Sequence, residues 1–316
     1  MKVAVLKGGD SLERQVSLRS GARVEDALQR LGHEAVPIDV GPDLVDRLTD
    51  ERPDVAFVAL HGRGGEDGTV QELLELVGIP YTASRPSGCI RCMDKVIAKH
   101  ALRDAGIPTP DFYAFSQTAF EELGAARALP AIEERLDFPI VVKPAGQGSA
   151  LGIKFARTAA DVPGAIVSAF SYDTKVLLER HVAGRDLAVS VLEGPDGPEA
   201  LPVVEAVPQE EDFYDFESRY EIGRTRFTCP AELPDEIAER ARSLALESYR
   251  VLGCYGFARV DLMLDTAGGE LTVLEANVIP GLTDTSLLPL AAEAAGIDFV
   301  ALIARVLELA VARAPG

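Results

Sequence analysis

A chain of 316 residues with a formal net charge of −19 is long enough for two or three hydrophobic cores, and its acidic field opposes a phosphate backbone or an anionic lipid surface. No run reaches the roughly 18 apolar residues that span a bilayer, and the opening MKVAVLKGGDS has neither a long apolar core nor a small-residue cleavage site. A cytoplasmic protein without nucleic-acid or membrane partners is therefore expected. The four cysteines include one C-x-x-C, Cys89 to Cys92, with Cys229 and Cys254 standing apart, a usage that suits reduced thiols better than a structural zinc site.

Strand and helix patterns alternate from the start. KVAVLKGG reads as a strand entering a glycine turn, VSLRSGARVEDALQRLG as a helix stopped at Gly32, and HEAVPIDV as a second strand. DLVDRLTDERP, DVAFVAL and TVQELLELVG continue as helix, buried strand and helix. Apolar strands alternating with helices predict a parallel sheet covered on both faces over residues 1–90. MDKVIAKHALRDAG is then a helix closed by Gly106, and the strands FPIVVKPA and ALGIKFA flank a glycine-rich loop. A helix near ADVPGAIVSAF and the strand KVLLERHV complete a smaller α+β unit over residues 91–184. The remainder, 185–316, holds the strands LAVSVLEG and LPVVEAVP, the polar aromatic segment EDFYDFESRYEIGRTRF, a long helix from PDEIAERAR onward, two strands and two terminal helices.

Some stretches interrupt these patterns with polar chemistry. In KPAGQGSALGIK, Gly146, Gly148 and Gly152 allow close backbone approach to a ligand, Ser149 carries a hydroxyl, and Lys143 is a point charge on the strand before them. The loop is not a Walker motif, and on its own residues it reads more readily as a mobile hairpin than as a phosphate cover. In GFARVDLMLD, Arg259 and Asp261 share one strand face; in ELTVLEANVIPG, Glu275 and Asn277 do the same. If those strands pair, three hard oxygen ligands of the kind magnesium prefers converge beside a guanidinium, and an Arg259–Asp261 ion pair is the competing explanation. His61 ends the strand DVAFVAL, where open α/β sheets bind ligands, or else caps a surface turn. GGDSLERQVS lacks the third glycine of a dinucleotide turn, which argues against a dehydrogenase.

Taken in order, GGDSLERQVSLRSG, ALHGRGGEDGTVQ, MDKVIAK, VVKPAGQGSALGIK, LLERHVAGRDLAV, FYDFESRY, RFTCPAEL, FARVDLMLD and LEANVIPGLTDTSLLP resemble the ATP-grasp superfamily, and within it the D-alanine:D-alanine ligases. The resemblance implies a three-domain fold, α/β and α+β, with an N-terminal parallel-sheet domain, a small central α+β domain and a C-terminal domain, ATP lying between the last two. It implies phosphorylation of a first D-alanine by ATP, attack by the amine of a second, and a dipeptide for peptidoglycan precursors. Two magnesium ions are implied, with manganese as a substitute and potassium as a further candidate, as is a homodimer.

The residue roles implied by the resemblance follow the motifs. Lys95 and Lys143 match phosphate-binding lysines, Glu179, Arg180, His181 and Val182 the hinge that reads adenine, and Asp186 the ribose-binding acid, usually glutamate. Asp261, Glu275 and Asn277 match the magnesium ligands, and Arg259 and the N–H of Gly281 the donors to the tetrahedral oxyanion. Glu13 matches the anchor of the first substrate's ammonium and His61 the imidazole near its carboxylate. Ser286 and the Leu287 backbone match the second carboxylate site, while Ser149 and Tyr220 join Glu13 in a lid. Arg219 stands where lysine is usual, Phe216 for tyrosine, Ala150 for serine, Gln147 for an acid and Gln15 for glutamate. Retention of Tyr220 favours D-alanine over D-lactate as acceptor; a D-alanine:D-lactate ligase and a nucleotide-binding regulator without turnover are the alternatives.

Overall fold

The computed structural model describes residues 1–208 and 225–313. Strands β1 (Lys2–Lys7), β2 (Glu34–Asp39) and β3 (Val55–Val58) form a parallel sheet in the order β2-β1-β3. Val3 to Leu6 on the central strand and Val55 to Val58 on its neighbour have no solvent exposure, the burial that continuous apolar strands demand when both faces are covered. Helix α1 (Arg14–Arg30) packs along β1 and β2, and α2 (Leu44–Glu51) and α3 (Thr69–Val77) follow.

Helices α4 (Pro86–Met93) and α5 (Lys95–Asp104) meet at Asp94, whose Oδ1 accepts from the N–H groups of Val96 at 2.9 Å and Ile97 at 3.1 Å. This cap fixes where Lys95 enters α5. A four-stranded antiparallel sheet comes next, β4 (Phe112–Ser116), β5 (Ile140–Pro144), β6 (Lys154–Ala156) and β7 (Lys175–Arg180), in the order β4-β7-β5-β6. A short helix α6 (Gln117–Glu121) leads to α7 (Leu129–Leu136), and α8 (Val162–Phe170) follows β6; α7, α8 and the sheet enclose an apolar cluster of their own, with Leu136, Ile140, Val142, Ile166 and Leu178 at its centre.

The largest sheet runs β11 (Thr225–Thr228), β10 (Val204–Pro208), β8 (Gly184–Gly194), β12 (Phe257–Asp265), β13 (Leu271–Asn277), with β9 (Gly197–Ala200) on β8. Helix α9 (Asp235–Leu252) packs on it, and α10 (Leu287–Ala294) and α11 (Phe299–Ala312) close the fold. One continuous core joins this sheet to the N-terminal one, from Val3 and Phe57 through Tyr249 to Leu302. Among the described residues, no single helix is long and apolar enough to cross a membrane.

Helices α4 and α7 and strand β4 are absent from the sequence expectation. Each is short and flanked by prolines or charges, so its apolar residues do not repeat long enough to declare a period. Cys254, isolated in the sequence, has its Sγ 3.6 Å from that of Cys92; all four cysteines are free thiols.

Candidate active site

Between the four-stranded and largest sheets lies a cavity of about 310 Å³, within the range of small-molecule sites. Val141, Ile153 and Phe155 form one apolar wall and Met263 and Leu274 the other. Glu179 and the turn Arg180, His181, Val182 that joins β7 to β8 make a polar edge, with Asp186, Lys143 and Glu275 at the rim. A flat apolar ring with hydrogen-bonding edges suits such a slot.

The charges around it are already paired. Glu179 is fully enclosed between two lysines, with Oε1 2.7 Å from Lys143 Nζ and Oε2 2.5 Å from Lys99 Nζ. Burial pushes its carboxyl up, but the two ammonium groups outweigh burial and hold it below the ordinary glutamate range. Antiparallel pairing of β12 with β13 sets Arg259 opposite Asn277 and Asp261 opposite Glu275. The guanidinium grips Asp261 with two bonds, Nε to Oδ1 at 2.6 Å and Nη2 to Oδ2 at 2.8 Å. Lys95 Nζ lies 3.1 Å from Glu275 Oε2 and donates to the Gln147 carbonyl at 2.6 Å. The ion pair weighed in the sequence is formed, and the three candidate oxygen donors lie on the same patch. Among the described residues no three His, Cys, Asp or Glu side chains are placed to hold a metal ion by themselves; the third ligand of the expected set is the Asn277 amide, whose Oδ1 accepts from Ile279 N–H at 3.0 Å.

Residues from distant elements complete the opposite end. Glu13, at the start of α1, accepts the Ser149 hydroxyl from the glycine-rich loop. Gly62 stands at φ +70°, where an added Cβ would lie 2.5 Å from Glu13 Oε2, so glycine is needed both for the turn and for the approach. His61, 4 % exposed, has Nε2 2.9 Å from Ser20 Oγ and Nδ1 3.1 Å from the Ile279 carbonyl. Burial, aided by the Arg259 charge, lowers its pKa to about 4, so the imidazole is neutral. Leu282 N–H donates to Ser20 Oγ at 3.2 Å, tying α1 to the turn after β13. In that turn Thr283 N–H donates to Ser286 Oγ at 3.0 Å, and a Cβ at Gly281 would lie 2.5 Å from the same oxygen. Ser286 stands at the N-cap position of α10, its hydroxyl turned to Thr283 rather than to the helix, and Leu287 opens the helix.

The loop between β5 and β6 therefore touches both ends. Gly146 N–H donates to Asp173 Oδ2 at 2.6 Å, the Gln147 carbonyl accepts from Lys95, and the Ser149 hydroxyl donates to Glu13. Ser149 and Ala150 both have left-handed φ, 52° and 58°. Arg219, Tyr220 and Phe216, expected in the lid, lie outside the described residues.

Buried charges at two positions escape sequence reasoning. Glu66, in the turn after His61, accepts from Gly62 N–H at 2.6 Å, and burial together with the Glu13 carboxylate pushes its carboxyl well up. Lys99 is the other. Its one sequence signal is its place four residues after Lys95, on the same face of α5.

Residues 101–308 match the family described as D-ala D-ala ligase C-terminus, and residues 43–84 the one described as D-ala D-ala ligase N-terminus. A D-alanine–D-alanine ligase of Moorella thermoacetica is 43 % identical over 310 residues, 98 % of this chain and 99 % of that protein. The crystal structure of the Bacillus anthracis D-alanine–D-alanine ligase complexed with ATP is similar at a TM-score of 0.82 and 34 % identity, covering 98 % of this chain and 97 % of that one. The VanG D-Ala:D-Ser ligase of Enterococcus faecalis is similar at a TM-score of 0.82 and 28 % identity, covering 98 % and 99 %.

Proposed function

Because the chain belongs to the D-alanine–D-alanine ligase family, we infer that it joins two D-alanine molecules as ATP is cleaved, giving D-alanyl-D-alanine, ADP and phosphate for peptidoglycan precursors. It is an ATP-dependent carbon–nitrogen ligase of the ATP-grasp fold. The observation that carries this reading is the glycine-rich loop reaching both ends of the site: Ser149 meets Glu13, the Gln147 carbonyl accepts from Lys95, and Lys95 pairs with Glu275 at the rim of the cavity between the two antiparallel sheets.

Adenine occupies the slot against Glu179, Arg180 and Val182, with the ribose near Asp186 and the phosphates toward Lys143 and Lys95. Both lysines sit on carboxylates in the free protein and trade them for phosphate oxygens. Asp261, Glu275 and Asn277 fit magnesium: they are hard oxygen donors on adjacent strand positions, and each carboxylate has lone pairs beyond those its cation takes. When bound, the metal supplies positive charge to the transferring phosphoryl group.

Glu13 holds the ammonium of the first D-alanine, and neutral His61 lies near its carboxylate. That carboxylate oxygen attacks the γ-phosphorus and ADP leaves, giving an acyl phosphate. The uncharged amine of the second D-alanine, its carboxylate held at Ser286 and the Leu287 N–H, attacks the acyl carbon. Arg259 and the Gly281 N–H donate to the oxyanion that forms there, and phosphate departs as the carbonyl is restored. The loop bearing Ser149, with Tyr220 and Arg219, closes over the site and keeps water from the acyl phosphate.

We also assign residues 1–90, 91–184 and 185–316 to the three domains, and place the protein in the cytoplasm as a homodimer. The test is phosphate release from ATP and magnesium with and without D-alanine, the product identified by mass. Release that depends on D-alanine and yields the dipeptide is expected; none across pH and potassium conditions contradicts the reading. The likeness to a D-Ala:D-Ser ligase favours a second reading, another acceptor, which the same assay separates with D-serine and D-lactate.

A further inference from the structure

Behind the wall of the nucleotide slot lies a cation that the chemistry above does not use. Lys99 has no solvent exposure; its ammonium is 2.5 Å from Glu179 Oε2 and donates to Thr109 Oγ1 at 2.6 Å. Glu179 presents its other oxygen to Lys143 Nζ at 2.7 Å. Lys143 and Glu179 line the cavity, whereas Lys99 does not. A single carboxylate thus holds two ammonium groups, one walled in and one at the face where ligand arrives.

Enclosing an ammonium is costly, and an apolar residue of the same length fills such a space without that cost. Burial lowers Lys99 to about 8 even though Glu179 pulls it up. The arrangement has a use if Lys143 must leave. With Lys143 alone as partner, its transfer to a phosphate would strand an ionised carboxylate in a dry interior, and the pair would resist opening.

We propose that Lys99 is a positioning residue for the nucleotide: as the fixed counter-ion of Glu179 it frees Lys143 to move onto a phosphate oxygen. The proposal rests on the cavity being the ATP site. Lys99 itself touches no substrate.

Equilibrium dialysis with ATP and steady-state kinetics on the full chain test it. Lys99→Met should weaken ATP binding and raise the KM for ATP by roughly tenfold, since Glu179 then retains Lys143, with the KM for D-alanine unchanged. Measured against Glu179→Gln alone, so that the adenine edge is held constant, adding Lys99→Met should cost little further ATP binding, because no carboxylate is left to hold Lys143. Additive losses in the double variant would indicate packing and overturn the proposal. Lys143→Met separates the two claims. If it leaves ATP binding intact, the site assignment itself fails, and if it weakens binding while Lys99→Met does not, only the counter-ion role fails.

Discussion

The two ends of the site hold their polar groups by different means. At the amino-acid end most contacts are neutral hydrogen bonds, between elements or within one turn: His61 to Ser20 and Ile279, Leu282 to Ser20, Thr283 to Ser286, with the Glu13 carboxylate held by the Ser149 hydroxyl. At the nucleotide end, cations rest on carboxylates: Lys143 and Lys99 on Glu179, and Lys95 on Glu275. Neutral networks fix geometry before substrate arrives, while an ion pair can exchange one anion for another. The smaller ligand thus meets a formed pocket, and the polyanion meets charges that must change partners.

Substitutions at the two ends should differ accordingly. The largest effect is expected at Arg259: Arg259→Ala should lower kcat by about 10²- to 10³-fold, the loss of one oxyanion donor, with the dissociation constant for ATP little changed by calorimetry. Loss of ATP binding in proportion would place Arg259 on the phosphates instead.

The neutral end should reveal itself in stability against pH. His61 has a folded pKa of about 4, below its ordinary value of 6.5, so as pH falls the unfolded chain takes up the proton first. Its contribution is fully present above pH 6.5 and is lost as pH falls toward 4, roughly 3 kcal/mol in all. Urea unfolding across that window should show this slope, and His61→Gln should flatten it.

Smaller changes concern the loop that bridges the two ends. Ser149→Ala removes its bond to Glu13 and should slow turnover about tenfold, on the order of 1.4 kcal/mol, while ATP binding stays. Unchanged turnover would remove Ser149 from the closed lid. The smallest effect is expected for Ala150→Gly. Ala150 holds φ at 58°, a conformation that costs non-glycine residues roughly 1 to 2 kcal/mol, partly offset by glycine's greater freedom when unfolded. A thermal midpoint raised by a degree or two is expected, and a lowered one would mean that the loop does not rest in this conformation.

Local periodicity made one part of this comparison legible and hid another. Arg259 with Asp261 and Glu275 with Asn277 stand two apart in otherwise apolar strands, so their shared faces could be read before the strands were known to pair. The apolar runs of β1 and β3 likewise declared a sheet buried on both sides. Lys99 could not be found this way. A lysine one helical turn after another looks like a solvated helix face, and only tertiary packing encloses it beside Glu179. Glu66 hides for the same reason, because a charge in the glycine-rich turn HGRGGEDG is usually wet. Cys92 and Cys254 meet across 162 positions, beyond any local pattern. What the sequence conceals is burial of charge, a property of tertiary contacts rather than of spacing.

The measurement that bears most directly on the central claim follows oxygen. D-alanine labelled with ¹⁸O in its carboxylate is supplied with ATP and magnesium, and the released phosphate is analysed by mass. If the first carboxylate attacks phosphorus and Arg259 assists collapse of the adduct, a labelled oxygen passes into the phosphate with each dipeptide formed. Dipeptide formation with unlabelled phosphate would contradict the account, since no acyl phosphate would then lie between ATP and product.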